Sequence, residues 1–148
     1  MTNQRDPLDI TVPRSLSHWS FVQEAITTHG QVQRWNEAVQ HQVLFMVEEL
    51  VVNAMTHGCP QAGLPLEQAW VRVECWEEDH WIRIRITDNL MPFDPRQAPA
   101  PDLDASLEDR PIGGLGVHLT LAMADSFTYE RRDGCNVTTL GKRRGAQP

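Results

Sequence analysis

Apolar residues in the first part of the chain recur every three or four positions, which is the spacing of amphipathic helices. One such stretch runs from 17 to 29, and Gly30 is expected to end that helix. A second runs from about 33 to 57 and stops at a Gly-Cys-Pro sequence. Before them, residues 8–12 alternate loosely and favour a short strand. The pattern therefore predicts a strand followed by two helices.

The second half of the chain alternates apolar and polar residues in pairs of segments, as β-hairpins do. Residues 70–76 and 81–87 form the first predicted hairpin. Residues 127–132 and 136–140, joined through Asp-Gly, form the second. Between the hairpins, residues 116–124 are almost uniformly apolar, which predicts a mostly buried helix. This half is therefore expected to supply most of the sheet.

The order of these elements predicts the fold class. Helices and hairpins in separate runs favour an α+β fold, a two-layer sandwich whose helices cover one face of a mostly antiparallel, mixed sheet. At 148 residues the chain has the size of one domain, and no internal repeat indicates another. We therefore expect residues 1–148 to form a single domain.

Composition and charge exclude several classes of protein. The formal net charge is −7, whereas a nucleic-acid-binding protein needs a basic face, so no direct contact with nucleic acid is expected. No apolar stretch reaches the roughly 18 residues of a membrane helix, and the N-terminus has no apolar signal region. Three cysteines at unrelated spacings indicate reduced thiols. We therefore expect a cytoplasmic protein with no membrane partner.

A segment rich in proline and acidic residues, from 91 to 111, precedes the third predicted helix. Loops of this length are uncommon inside a compact domain, and they are often lids or binding loops. A simple connector is the alternative. The segment is therefore a candidate for a lid over a binding site.

Two polar residues lie one turn apart among the apolar residues of the second predicted helix. Glu49 and Asn53 are four positions apart, so their side chains share one face. The carbonyl oxygen of Asn53 is a hard ligand suited to magnesium, and Glu49 could accept a proton from an attacking hydroxyl or water. The alternative is a surface glutamate on an amphipathic helix, with an asparagine near its end. Spacing alone favours that alternative.

Two further features could contact a nucleotide. Asp88 follows an apolar strand at the point where the chain leaves the sheet, and its carboxylate could accept a hydrogen bond from the amine of adenine. It could equally be an aspartate in a turn that ends the strand. Gly113, Gly114 and Gly116 come just before a helix, where backbone N–H groups can bind phosphate. Ordinary loop flexibility would also explain these glycines.

Taken in order, these motifs resemble the Bergerat-type ATP-binding fold of gyrase, histidine kinases and MutL. The resemblance rests on residues 49–54, on Asp88 with the Pro-Phe-Asp-Pro sequence at 92–95, on the glycines at 113–116, and on the last hairpin. It spans nearly the whole chain, from about residue 8 to 142. More closely, the chain resembles the small bacterial anti-sigma-factor serine/threonine kinases.

This resemblance implies a site for ATP and Mg²⁺ with a role for each motif. Asn53 would hold the metal, Glu49 would act as general base, and Asp88 would recognise adenine. A lid at 91–112 would cover the phosphates. The remaining implied nucleotide contacts are Gly113, Gly114, Leu115, Gly116 and Asn136.

The resemblance also implies partners. The family transfers the γ-phosphoryl group to a serine or threonine of a small anti-sigma-factor antagonist. In another state it binds a sigma factor, and it commonly forms a homodimer. No phosphoacceptor histidine domain precedes the ATP module in this sequence, which disfavours a complete sensor histidine kinase.

The sequence departs from the family pattern at two places. Leu90 stands where the family usually has a glycine, two residues after the aspartate that recognises adenine. Cys135 and Asn136 replace the common Gly-Thr near the adenine. A binding module of the same fold that holds a partner without catalysis is therefore the main alternative. A detached ATP domain serving a histidine phosphoacceptor is a weaker one.

Overall fold

A computed structural model describes residues 6–98 and 114–145. Their fold is α+β and combines helices with an antiparallel sheet. In chain order the principal elements are β1 (Leu8–Pro13), α1 (Trp19–Val32), α2 (Glu37–His57), β2 (Trp70–Glu78), β3 (Trp81–Asp88), α3 (Gly114–Met123), β4 (Ser126–Arg132) and β5 (Cys135–Arg143). The predicted fold class is confirmed.

The sheet has the strand order β1-β2-β3-β5-β4, so the final strand lies between β3 and β4. All four pairings between the described strands are antiparallel, whereas the sequence prediction was a mostly antiparallel, mixed sheet. The insertion of β5 beside β3 pairs Asp88, at the end of β3, with Asn136, near the start of β5. Two polar residues that are far apart in sequence therefore meet at one edge of the site described below.

One hydrophobic core fills the space between the helices and the sheet. Along β3 and the first part of β2, every second residue is buried, as the predicted alternation requires. These residues pack against the apolar stripe of α2, which includes Val43, Met46 and Val47.

Within the described part of the chain, no helix is both long enough and apolar enough to cross a membrane.

The first helix differs from its prediction because Gly30 does not end it. Helix α1 continues to Val32, and the turn to α2 is made by Arg34, whose φ of 62° lies in the left-handed region. Asn36 then caps α2 by accepting a hydrogen bond from Val39 N at 2.8 Å. Gly30 is buried within the helix and leaves room for the ring of Trp35. Close packing, not helix termination, therefore explains this glycine.

Replacing Gly30 by alanine is expected to destabilise the protein. A Cβ atom there would lie 2.8 Å from Cε3 of the buried Trp35 ring. Overpacking costs about 1–3 kcal/mol, and alanine regains up to about 1 kcal/mol in helix propensity. We expect the free energy of unfolding, measured in urea, to fall by up to about 2 kcal/mol. Thr27→Ala on the exposed face of α1 is the control, and a Gly30→Ala variant as stable as this control would contradict the packing argument.

The third helix also differs from its prediction, because it is not mostly buried. Val117 and Thr120 are buried, whereas Leu115 and Leu119 are each 45% exposed. Helix α3 contacts α2 and residues 95–97. A helix that is apolar on every side gives no pattern from which its buried face could be identified, so burial was overestimated.

Candidate functional site

A cavity of about 470 Å³ opens beside the C-terminal half of α2. Its other walls are the end of β3, the segment after β3, the first half of β5, and α3. This volume lies within the range of small-molecule sites, which are mostly apolar with a few polar groups that orient the ligand. The apolar wall includes Leu50, Ala54, Ile86, Leu90, Phe93 and Val117. The polar groups on the wall include Asn53, His57, Asp88, Asn136 and Thr138. The composition is therefore that of a ligand site.

Asp88 lies at the buried end of this cavity. Its Oδ1 accepts hydrogen bonds from Leu90 N at 3.0 Å and from Asn136 Nδ2 at 2.8 Å. Burial raises the pKa of the Asp88 carboxyl, and the hydrogen bonds from Asn136 and Leu90 and the charge of Arg131 oppose that rise. Among residues 6–98 and 114–145, no donor hydrogen-bonds to Oδ2. That oxygen is the one that a ligand in the cavity could use.

Asn53 and Glu49 lie one turn apart on α2, as their spacing predicted. Asn53 lines the cavity, and its amide makes no hydrogen bond to another described residue. Burial raises the pKa of the Glu49 carboxyl, and the neighbouring charge of Glu48 raises it further. Within the described part of the chain, neither side chain has a hydrogen-bond partner, and Asn53 is the one that lines the cavity.

The residues present fit a magnesium ion that is mostly hydrated. Mg²⁺ prefers hard oxygen ligands and usually takes one or two protein ligands beside waters and phosphates. The amide oxygen of Asn53 is such a ligand at the cavity wall. In the described part of the chain, no group of three or more His, Cys, Asp or Glu side chains could hold a metal by itself. A metal here would therefore depend on phosphate and water for its remaining ligands.

The predicted glycine segment meets Glu49 at the first turn of α3. The Glu49 carboxylate packs so closely on Gly116 that a Cβ atom at this position would overlap it. Gly114 begins α3, and the side chain of Leu115 is largely exposed. Gly113 lies outside the described residues. The helix motif that contains Glu49 and the glycine motif that contains Gly116 are far apart in the sequence and are in contact in the fold.

The predicted lid at 91–112 is described only in its first part. Residues 91–98 form one wall of the cavity and contain a short 3₁₀-helix, Pro95–Gln97, where irregular structure was expected. Asp94 caps that helix by accepting a hydrogen bond from Arg96 N at 3.0 Å. Residues 99–112 lie outside the described part.

Leu90, one of the two departures from the family pattern, is part of the cavity wall. Its side chain is buried and packs against Gly58 at the end of α2. Its carbonyl accepts a hydrogen bond from Arg131 Nη1 at 2.8 Å. The cavity remains open beside this side chain. Leu90 therefore narrows the site without filling it.

Sequence reasoning missed the role of Tyr129 and Arg131 on β4. Tyr129 OH donates to Asn136 Oδ1 at 2.5 Å, and Arg131 reaches Leu90 as described above. A signal was present, since the Asp133-Gly134 turn pairs Arg131 with Asn136. Alternation along β4 then places Tyr129 on the same face as Arg131. Together the turn and the alternation would have placed both side chains beside Asn136.

Comparisons with known proteins agree on one kind of domain. Residues 12–142 match the family model described as a histidine kinase-like ATPase domain. The chain is 30% identical over 107 residues to the serine/threonine-protein kinase BtrW of Bordetella bronchiseptica, covering 72% of each chain. It is also similar in fold to the crystal structure of the RsbU and RsbW domains of Rv1364c from Mycobacterium tuberculosis, with a TM-score of 0.65 at 15% identity. That match covers 93% of this chain and 32% of the other, so the chain spans about a third of that protein.

Proposed function

Because this chain belongs to the family of histidine kinase-like ATPase domains, we propose that it is a protein serine/threonine kinase that uses ATP and Mg²⁺. Its substrate is a small anti-sigma-factor antagonist in a bacterial partner-switching pathway, and in another state it binds a sigma factor, as a homodimer. The observation that carries the proposal is that Asn53 and Asp88 line one cavity, with Glu49 one turn from Asn53. The similarity to BtrW, which is named a serine/threonine-protein kinase, supports the type of acceptor.

Asp88 would recognise the base. Its Oδ2 is the oxygen without a partner among the described residues, and an ionised carboxylate only accepts hydrogen bonds. The exocyclic amine of adenine is a donor, whereas guanine presents a carbonyl oxygen at the same place. The apolar wall beside Asp88 suits the faces of the base. The cavity therefore favours adenine.

Asn53 would hold the metal through its amide oxygen. Bound Mg²⁺ supplies positive charge that neutralises the charge developing on the transferred phosphoryl group. The first turn of α3, at Gly114 and Gly116, offers backbone N–H groups to the phosphates, and Gly113 would extend this contact. Leu115 would contribute through its backbone, because its side chain is largely exposed.

Glu49 would act as the general base. The acceptor hydroxyl oxygen forms a bond to the γ-phosphorus while the bond from phosphorus to ADP breaks, and the hydroxyl proton passes to the Glu49 carboxylate. Burial raises the pKa of this carboxyl, which makes it a better proton acceptor than a fully hydrated glutamate. Its contact with Gly116 holds the carboxylate next to the proposed phosphate-binding turn.

Calorimetry of ATP binding, with and without Mg²⁺, tests this proposal on the native chain and on Asn53→Ala. We expect the native chain to bind ATP more tightly with Mg²⁺. Asn53→Ala should lower the metal-dependent part of the ATP affinity by at least about 10- to 100-fold, because losing even a residue that only supports a metal ligand costs that much. Thr56→Ala, on the exposed side of α2, is the matched control and should bind as the native chain does.

The same titration distinguishes the alternative function, a binding module without catalysis. Leu90 favours that alternative, because its buried side chain takes space where the family pattern has a glycine. If the native chain binds no ATP under any condition, the kinase proposal is wrong and a nucleotide-free binding module replaces it.

A further inference from the structure

We propose that Asn136 is a positioning residue that does not touch the nucleotide but determines which oxygen of Asp88 faces the base. This inference rests on the proposed function and gives Asn136 a different role from the direct nucleotide contact that the family resemblance implies. Asn136 is buried at the junction of β5, the end of β3 and the segment after β3. Its contacts and the strand register carry the argument.

Every hydrogen-bonding capacity of the Asn136 side chain is already used. An asparagine amide can donate two hydrogen bonds and accept two. Asn136 Nδ2 donates to Asp88 Oδ1 and to Met91 O, both at 2.8 Å. Its Oδ1 accepts from Phe93 N at 3.0 Å and from Tyr129 OH at 2.5 Å. A direct bond from Asn136 to a ligand would therefore require one of these four to break.

The four partners also determine how the amide is oriented. Asp88 and the Met91 carbonyl are acceptors, so they require the NH₂ group, while Phe93 N donates and requires the oxygen. The reverse orientation would place the Asn136 oxygen against a carboxylate and a carbonyl. This buried amide therefore has one orientation that satisfies its neighbours.

Asn136 and Leu90 together occupy one oxygen of Asp88 and leave the other for the ligand. Strand pairing places Asn136 directly opposite Asp88, and Leu90 N binds the same oxygen, Oδ1. The carboxylate is thus held with Oδ2 as its remaining acceptor. Without Asn136, the carboxylate would keep only the backbone contact and could rotate. The recognition of an amine on the base depends on preventing that rotation.

Asn136 also ties the segment after β3 to the sheet. Met91 O and Phe93 N, both bonded to Asn136, belong to residues that line the cavity. Tyr129 OH on β4 donates to the same amide oxygen as Phe93 N. One buried side chain therefore joins the polar end of the cavity to an adjoining apolar wall. A base bound in the cavity would therefore contact the polar end and the apolar wall at a fixed position relative to each other.

The experiment compares ATP with inosine triphosphate, whose base has a carbonyl in place of the exocyclic amine. Dissociation constants for both nucleotides with Mg²⁺ are measured on the native chain and on Asn136→Ala. We expect the native chain to prefer ATP and Asn136→Ala to reduce that preference by about tenfold, a loss equivalent to about 1.4 kcal/mol. Thr139→Ala, a neighbour on β5 whose side chain points to the opposite face, is the control and should keep the native ratio.

Tyr129→Phe is a second variant that removes only one of the four bonds and should lower the preference for ATP by a smaller factor. It replaces Asn136→Ala if that variant does not fold. Hydrogen exchange of Phe93 N–H without nucleotide gives an independent measurement, because this amide should exchange faster once Asn136 is removed.

The outcomes separate the two proposals. If the native chain prefers ATP and Asn136→Ala loses that preference while its Phe93 N–H exchanges faster, or if Tyr129→Phe lowers the preference, positioning is supported. If Asn136→Ala weakens both nucleotides equally, or if its Phe93 N–H keeps the native exchange rate, positioning is wrong while the kinase proposal stands. If the native chain binds neither nucleotide, both proposals fail together.

Discussion

Glu49→Gln is expected to reduce phosphoryl transfer by about 10²- to 10⁴-fold, the usual contribution of a general base, while ATP affinity stays close to that of the native chain. Glutamine has the shape of glutamate, so it should preserve the close contact with Gly116. It cannot accept a proton from the attacking hydroxyl. Glu49 does not line the cavity itself, which is why binding should survive.

The rate of ATP hydrolysis measures this effect, because water can replace the protein hydroxyl as the attacking group. In the native chain the rate should rise with pH through a pKa above the usual value of a glutamate, since burial raises the pKa of Glu49. That rise should disappear in Glu49→Gln. Glu48→Gln is the matched control: it leaves the base in place, so the rise with pH should persist, displaced to lower pH because the charge of Glu48 no longer raises the pKa of Glu49.

The two possible results assign the chain to different classes. A Glu49→Gln variant that hydrolyses ATP at the native rate would rule out Glu49 as the base. A native chain that binds ATP and shows no turnover, with Glu49→Gln identical to it, would support the binding module. Glu49 thus separates a kinase from a module that keeps only the fold.

The family and most of the fold could be predicted from the sequence. The resemblance to this family is confirmed, because residues 12–142, which contain the motifs that carry it, match the family model. The end of α2 at His57 and the hairpin of β2 and β3 also agree with prediction. These features depend on local periodicity and turn residues, which a single sequence contains.

The errors have a common physical origin in contacts between distant residues. Gly30 was expected to end a helix because glycine has low helix propensity. Instead, the ring of Trp35 occupies the space that a Cβ atom at position 30 would need. The exposed face of α3 could not be identified, because its apolar residues show no amphipathic period. In both cases tertiary packing decided what local propensity could not.

The candidate site was predictable only where it depends on local spacing along one element. Glu49 and Asn53 share a helix face by simple spacing, so their proximity followed from the sequence. The role of Asn136 did not, because it needs the segment after β3 to fold back onto β5. No local pattern specifies that return. The polar network around Asp88 therefore had to come from the structure.

Asp88→Asn is expected to weaken ATP binding by about 10- to 100-fold without destabilising the protein. A hydrogen bond to a charged group contributes about 1.5–3 kcal/mol, which corresponds to that range of affinity. Asparagine has nearly the same shape, and its oxygen can still accept from Leu90 N and Asn136 Nδ2. The substitution therefore replaces the carboxylate oxygen proposed to bind adenine and leaves the supporting contacts in place.

The dependence of stability on pH gives this variant a second, independent signature. The pKa of Asp88 is raised in the folded protein, so its stabilising contribution is complete below the unfolded pKa and is lost as pH rises through the folded pKa. The free energy of unfolding of Asp88→Asn, relative to the native chain, should therefore increase from acid to neutral pH. Denaturant titrations at both pH values measure it.

Asp94→Asn is the matched control for Asp88→Asn and should show the opposite trend. Its carboxyl has a lowered pKa because of the hydrogen bond from Arg96, so its contribution is present above the unfolded pKa and is lost as pH falls. If Asp88→Asn lost ATP binding and stability together at neutral pH, unfolding would explain the loss and the assignment of Asp88 to adenine would lose its support. If stability is kept and binding falls, the carboxylate itself is required, because shape and supporting contacts are unchanged.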